Sequence, residues 1–133
     1  MYSVDFLPYF GAGRTNLDST KDEIRKIIGP FKEFKKTKFS KNTTDDFSYF
    51  HVFYDEQNKV EAIEFFSSTE FLFKGKNLFS LQFIELKNFL RDLNYDIFED
   101  ESGLRSEDIG LSIYSPDKKD IETILIYRKG YYN

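Results

Sequence analysis

Cysteine and tryptophan are absent from the 133 residues, and histidine occurs only once. Without cysteine there is no disulfide framework, no thiolate metal site and no thiol nucleophile. A lone His51 has no second histidine with which to build a zinc centre. No Pro/Gly/Ser-rich stretch divides the chain, so residues 1–133 are expected to form a single domain. No apolar run approaches the roughly 18–20 residues of a spanning helix. The opening "MYSVDFLPYF" also lacks the basic and apolar regions of a secretory signal. These absences predict a cytoplasmic protein that makes no membrane contact.

Large aromatics stand where the missing residue types would be. Sixteen Phe and nine Tyr dominate the apolar set, so a few large side chains supply the core. Net charge is −4, which weighs against a general nucleic-acid binder. Its placement is uneven. Residues 32–41, "KEFKKTKFSK", carry five lysines against Glu33, whereas residues 96–108, "DIFEDESGLRSED", carry six acids against Arg105. One basic and one acidic face are expected.

Periodicity sets the elements. Thr20 and Glu23 have capping-box spacing, Ile24, Ile27 and Ile28 form a narrow stripe, and Gly29-Pro30 ends the helix. "FSYFHVFY" (47–54), "VEAIEFF" (60–66) and "TEFLFKG" (69–75) read as a three-strand antiparallel meander. After a Ser80 cap, Phe83, Leu86, Phe89, Leu90 and Leu93 recur at helical spacing. Short strands follow at "YDIF", "IGLSIY" (109–114) and "IETILIYR" (121–128). The expectation is an α+β fold of order α-βββ-α-βββ, one antiparallel sheet with both helices packed mainly on one face.

No motif names a reaction. "GAGRTN" lacks the third glycine of a dinucleotide fingerprint and the Gly-Lys-Ser/Thr of a Walker loop. It reads as a glycine turn with Arg14 on a loop. His51 is placed on a strand face with Phe47, Tyr49 and Phe53, with no Ser or Asp marked as its catalytic partner. Glu61 and Glu64, three apart in a strand, are expected on opposite faces. Setting Gly103 at position six of a calcium loop puts Phe98 at position one, so the EF-hand template fails. That leaves the acidic stretch as a weak cation site, a solvated loop, or a surface that docks a basic partner. Phe31, Phe34 and Phe39 among the lysines have the composition of a stacking platform, but edge protection by lysine explains the segment better.

The "G-x-G" segment, the helix ending "IIGP", "YFHVFYDEQNKVEAIEFF", "FKGKNLFSLQFIELKNFL" and "EDIGLSIYSPDKKDIETILIYRKGYYN" together give a layout. It resembles the small proteins of AT-rich bacterial genomes that act as immunity proteins of polymorphic toxin systems. The resemblance implies a non-enzymatic protein that binds a cognate toxin domain, frequently a nuclease, and blocks it by occlusion. No metal or cofactor is expected, and the resemblance carries over no binding residue by position. From the residues themselves, Glu99, Asp100, Glu101, Glu107 and Asp108 are the expected partner contacts, with Tyr131 and Tyr132 as aromatic anchors. The alternative is a small-ligand-binding or enzymatic α+β domain with a pocket around His51, Tyr49 and Arg14.

Overall fold

A computed structural model describes residues 2–35, 37–38 and 42–132. The chain runs through β1 (Tyr2–Leu7), β2 (Gly11–Ala12), β3 (Thr15–Asn16), α1 (Lys21–Ile28), β4 (Lys32–Phe34), β5 (Thr44–Asp46) and β6 (Phe50–Tyr54). It continues through β7 (Val60–Phe66), β8 (Thr69–Phe73), β9 (Lys76–Asn77), a 3₁₀ turn (Leu78–Ser80) and α2 (Phe83–Asp92). Four strands complete it: β10 (Phe98–Asp100), β11 (Gly103–Ser106), β12 (Leu111–Tyr114) and β13 (Thr123–Tyr127). This is a mixed α+β architecture of two helices and two sheets, dominated by strands.

Both helices are punctuated by local chemistry. The Thr20 hydroxyl accepts from Glu23 N–H at 3.2 Å while Thr20 N–H donates to the Glu23 carboxylate at 3.1 Å, the reciprocal bonds expected of a capping box. Gly29 closes α1 by donating to the Arg25 carbonyl at 3.2 Å. Helix α2 buries Phe83, Leu86 and Leu90. Its N-cap is Gln82 rather than the expected Ser80, which lies in the preceding 3₁₀ turn.

The single sheet is a mistaken expectation. Strands β6 and β7 do form the antiparallel hairpin, but β8 leaves it and pairs parallel with β1 (Tyr2↔Thr69 through Asp5↔Leu72). A five-stranded sheet results, in the order β3-β2-β1-β8-β9. Beside β7, in the place expected for β8, lies β13, and an eight-stranded sheet runs β10-β11-β12-β13-β7-β6-β5-β4. Among the described residues the expected order α-βββ-α-βββ omits the three strands before α1, and six strands rather than three lie between the helices and four rather than three follow α2. Pro8 does not interrupt β1, because it falls just beyond Leu7, the last residue of the strand. Within β1, Val4 and Phe6 alternate inward.

Aromatic contacts join the two sheets. Phe71 of β8 meets Phe65 of β7 edge-on at 5.3 Å and Phe6 of β1 at 5.4 Å, and Tyr2 stacks on Phe50 at 5.5 Å. Residues of both sheets and both helices belong to one buried cluster, which includes Ile24, Phe50, Phe65, Phe71, Leu86, Leu90 and Ile124. This core lies on one face of the eight-stranded sheet, built by the row Leu104–Ile113–Ile124–Phe65–Phe50 across β11 to β6. No helix among the described residues is long and apolar enough to cross a membrane.

Candidate functional site

Alternation in the strands dictates what the other face carries. Across the same sheet, register aligns Phe98, Arg105, Ser112, Leu125, Glu64, His51, Asp46 and Lys32 in one row. A neighbouring row brings Tyr127, Ala62, Phe53, Thr44 and Phe34 together. The segment after β13 folds back over the middle of this face. Tyr131 stacks on Tyr127 at 5.6 Å and Tyr132 meets Tyr127 edge-on at 4.9 Å. With Phe53, Ala62 and Leu125 they form a second, small apolar cluster. Tyr9 reinforces it from the N-terminal side, edge-on to Tyr127 and donating its hydroxyl to the Glu107 carbonyl. Burial raises the Tyr127 and Tyr131 pKa values, the latter to about 12.

Toward β10 the face stays open. Phe98 is 59% exposed, and Tyr114 and Tyr132 are each 45% exposed. A recess of about 170 Å³ lies here, with Phe98, Asp100, Ser102, Arg105, Ser112 and Tyr132 in its lining. Arg105 is held by two rings, Tyr132 at 4.3 Å and Phe98 at 5.4 Å from the guanidinium carbon. Its Nε comes within 3.1 Å of the Glu107 carboxylate. That approach is poorly aligned, and the Nε forms no hydrogen bond despite being shielded from solvent.

The five predicted acids do not form one surface. Glu99 alternates to the opposite side of β10 from Phe98 and pairs with Lys87 of α2 at 2.6 Å and Lys118 at 2.8 Å. Those two lysines hold its pKa down at about 2. Asp100 caps the tight turn into β11, accepting from Ser102 N–H at 2.9 Å and the Ser102 hydroxyl at 2.8 Å. Glu101 is exposed at the tip of that turn. Glu107 lies beside Arg105, and Asp108 accepts from Asp96 N–H at 2.8 Å. Sequence proximity put these acids in one group; strand alternation and two turns distribute them. Glu107 and Tyr132 do come together, through Arg105, the cation absent from the expected contact set. Its signal was the single positive charge in the acidic stretch.

His51, Tyr49 and Arg14, the residues of the alternative pocket, lie on β6, just before it, and at the β2–β3 turn. His51 makes edge-on contacts with Phe66 at 4.7 Å and Phe34 at 5.1 Å, and its Nε2 is 3.5 Å from the Asp46 carboxylate. Asp46 is thus the acidic neighbour missing from the sequence reading. Strand β6 begins at Phe50, and Tyr49 stacks on Tyr2 at 5.3 Å. Arg14 is exposed at the tip of the tight β2–β3 hairpin. Glu61 and Glu64 also depart from simple alternation, because the β6–β7 register shifts at Phe53 and Tyr54. Both carboxylates act on the Tyr131 hydroxyl.

Two further charge clusters are structural in geometry. Asp45, completely buried, accepts from Arg25 Nε and Nη2 and from the Tyr54 hydroxyl, each at 2.8 Å. Arg25 reaches on to Glu33 at 2.8 Å and lies over the Phe31 ring at 4.0 Å. Arg128 bridges Asp18 at 3.0 Å and Asp55 at 2.8 Å. In these clusters the opposite charges are paired with one another. No group of three or more His, Asp or Glu able to hold a metal ion occurs among the described residues. Of the basic segment, β4 is the exposed edge of the large sheet, whereas Lys36, Phe39, Ser40 and Lys41 lie outside the described residues.

Comparison with known proteins finds no family model, no curated protein and no solved structure that matches the chain.

Proposed function

We propose that this chain is a non-enzymatic, protein-binding inhibitor of the immunity type, which occludes a cognate bacterial toxin domain in the cytoplasm. The observation that carries the reading is the open end of the large sheet. There Phe98, Arg105 and Tyr132 are grouped, with Asp100, Glu101 and Glu107 around them. Aromatic residues and arginine are the types that anchor protein interfaces, and rim acids steer a basic partner. A net charge of −4 adds long-range attraction toward the basic site of a nuclease. Glu99 contributes least to this surface, because two lysines already neutralise it.

The test is co-expression with the toxin domain encoded by the adjacent gene, with calorimetry on the purified pair. Growth rescue and a tight complex are expected. Phe98→Ala or the triple charge reversal at Glu101, Glu107 and Asp108 should weaken binding by about tenfold or more. Failure of the purified proteins to associate overturns the function. Association that none of these changes affects overturns the surface.

A further inference from the structure

We infer that the turn Leu7–Phe10 is a membrane-contact tip, which inserts apolar side chains into an anionic bilayer surface beside a lysine-bearing turn. The inference is independent of the inhibitor reading. It begins with the parallel pairing of β1 and β8, whose register runs from Tyr2↔Thr69 to Asp5↔Leu72. Parallel strands end on the same side, so the turn that leaves β1 lies beside the turn that leaves β8. The first reads "LPYF" and the second "KGK", where Lys74 and Gly75 join β8 to β9. Phe6 and Phe73, the residues just before them, meet at 5.2 Å.

The first turn exposes what a folded chain ordinarily buries. Leu7 is 55% and Phe10 56% exposed, and Pro8 between them is exposed as well. Phe10 N–H donates to the Leu7 carbonyl at 3.0 Å, and Tyr9 takes a φ of +60°, uncommon for a residue with a Cβ. Tyr9 anchors the turn, its hydroxyl donating to the Glu107 carbonyl and its ring edge-on to Tyr127. Lys74 and Lys76 are exposed on the adjoining turn, and Lys129 lies 5.3 Å over the Tyr9 ring. None of these three lysines forms an ion pair among the described residues. Surface binding to a bilayer scales with the apolar area inserted plus attraction of cations to anionic lipid, and it needs no spanning helix. It thus departs from the expectation of no membrane contact. A protein partner fits less well, because three such side chains, even fully exposed, fall short of the roughly 800 Å² per partner of a stable interface. Asp5 on β1, and Glu107 and Asp108 beside Tyr9, oppose an anionic surface, so the contact needs both the lysines and the apolar tip.

The chain has no tryptophan, so Phe10→Trp installs a single fluorescent reporter at the tip. On vesicles of phosphatidylglycerol and phosphatidylcholine in equal parts its emission should shift to the blue, and on phosphatidylcholine alone it should not. Phe31→Trp is the control reporter. Contacts through Phe47 and Phe50 to Tyr2 put Phe31 at the opposite end of β1, beside the lysines of residues 32–41, and its emission should not move. In flotation with the mixed vesicles, Leu7→Ser with Phe10→Ser should lower partitioning by about tenfold or more, as should Lys74→Gln with Lys76→Gln. Lys32→Gln with Lys35→Gln, an equal change of charge, should leave it unaltered. The Phe10→Trp exchange is conservative, so a folding defect in the serine variant leaves the inference testable. Four results would overturn it: a shift from the Phe31→Trp reporter instead, full partitioning of a folded Leu7→Ser, Phe10→Ser variant, equal losses from the two lysine pairs, or the same blue shift with soluble polyglutamate. The last would assign the tip to an acidic protein.

Discussion

Arg25 and Asp45 meet in a two-pronged pair, with both N–H···O contacts at 2.8 Å and the carboxylate wholly out of water. The pair fixes α1 against β5, and the Tyr54 hydroxyl completes the acceptor set at 2.8 Å. Arg25→Met should therefore leave a buried charge uncompensated, at a cost of about 2–4 kcal/mol given the partial exposure of the arginine. Adding Asp45→Asn should recover part of that loss. Urea unfolding of the two variants measures both. A single variant within experimental error of the parent would show that the pair does not anchor the helix.

Acid sensitivity should trace to Glu99. Its folded pKa, about 2, lies below the ordinary 4.5 because Lys118 and Lys87 hydrogen-bond to the carboxylate. A depressed pKa means that its contribution is present above about 4.5 and disappears as pH falls toward 2. Exposed pairs are screened, so Glu99→Gln should cost at most about 1 kcal/mol near neutrality. The loss of stability across that acidic window should be shallower in the variant, which denaturant titrations at successive pH values would reveal.

Alkali should act on the other face of the large sheet, over its middle. Burial raises Tyr131 from 10 to about 12, with Glu61, Tyr132 and Glu64 adding repulsion of the phenolate. A raised pKa contributes stability that is complete below 10 and is lost as pH climbs through 12. Tyr131→Phe should flatten that decline while keeping the stack on Tyr127. Tyr131→Ala should lose the stack as well and cost about 1–2 kcal/mol. Phenolate absorbance, followed alongside unfolding, separates ionisation from loss of structure.

The β2–β3 hairpin makes a steric prediction. Gly13 has φ +62°, and a Cβ there would sit 2.7 Å from Val4 Cγ1. Gly13→Ala should destabilise by about 1–3 kcal/mol through strain and displacement of Val4. Pairing it with Val4→Ala should relieve the steric part, and a double-mutant cycle by thermal unfolding would expose the coupling.

These sites differ in how far the amino-acid order discloses them. The α1 cap is contained in Thr20 and Glu23, three residues apart, and α2 in the spacing of Phe83, Leu86 and Leu90. Such local patterns are readable because the partners are sequence neighbours. The β6–β7 hairpin is equally local. By contrast, nothing in "TEFLF" distinguishes a strand that continues a meander from one that crosses to Tyr2–Leu7, because both environments reward the same apolar alternation. Strand β1 alternates at Val4 and Phe6 and ends before Pro8, but its partner β8 lies more than sixty residues away. Of the candidate site, Tyr132 and the acids stand out by type. Arg105 does not, since its meaning comes from Phe98 across a strand pair and Tyr132 at the far end of the chain. The dispersal of Glu99 from Glu101 and Glu107 is likewise a property of pleat and turn, invisible to a count of charges.

Strand β13 gives the large sheet an assembly rule. It is the last strand in chain order, yet it lies between β12 and β7 and hydrogen-bonds to both. Until residues 123–127 have been placed, the other seven strands of the sheet exist as two separate ribbons, β10-β11-β12 and β7-β6-β5-β4, each with an open inner edge. The keystone is thus laid after the arch it closes. Joining the ribbons spans about half the chain, a long-range step that slows folding relative to local pairing. A chain halted before β13 would carry two bare, apolar strand edges into a crowded cell. Its most available partner would be another chain halted at the same point.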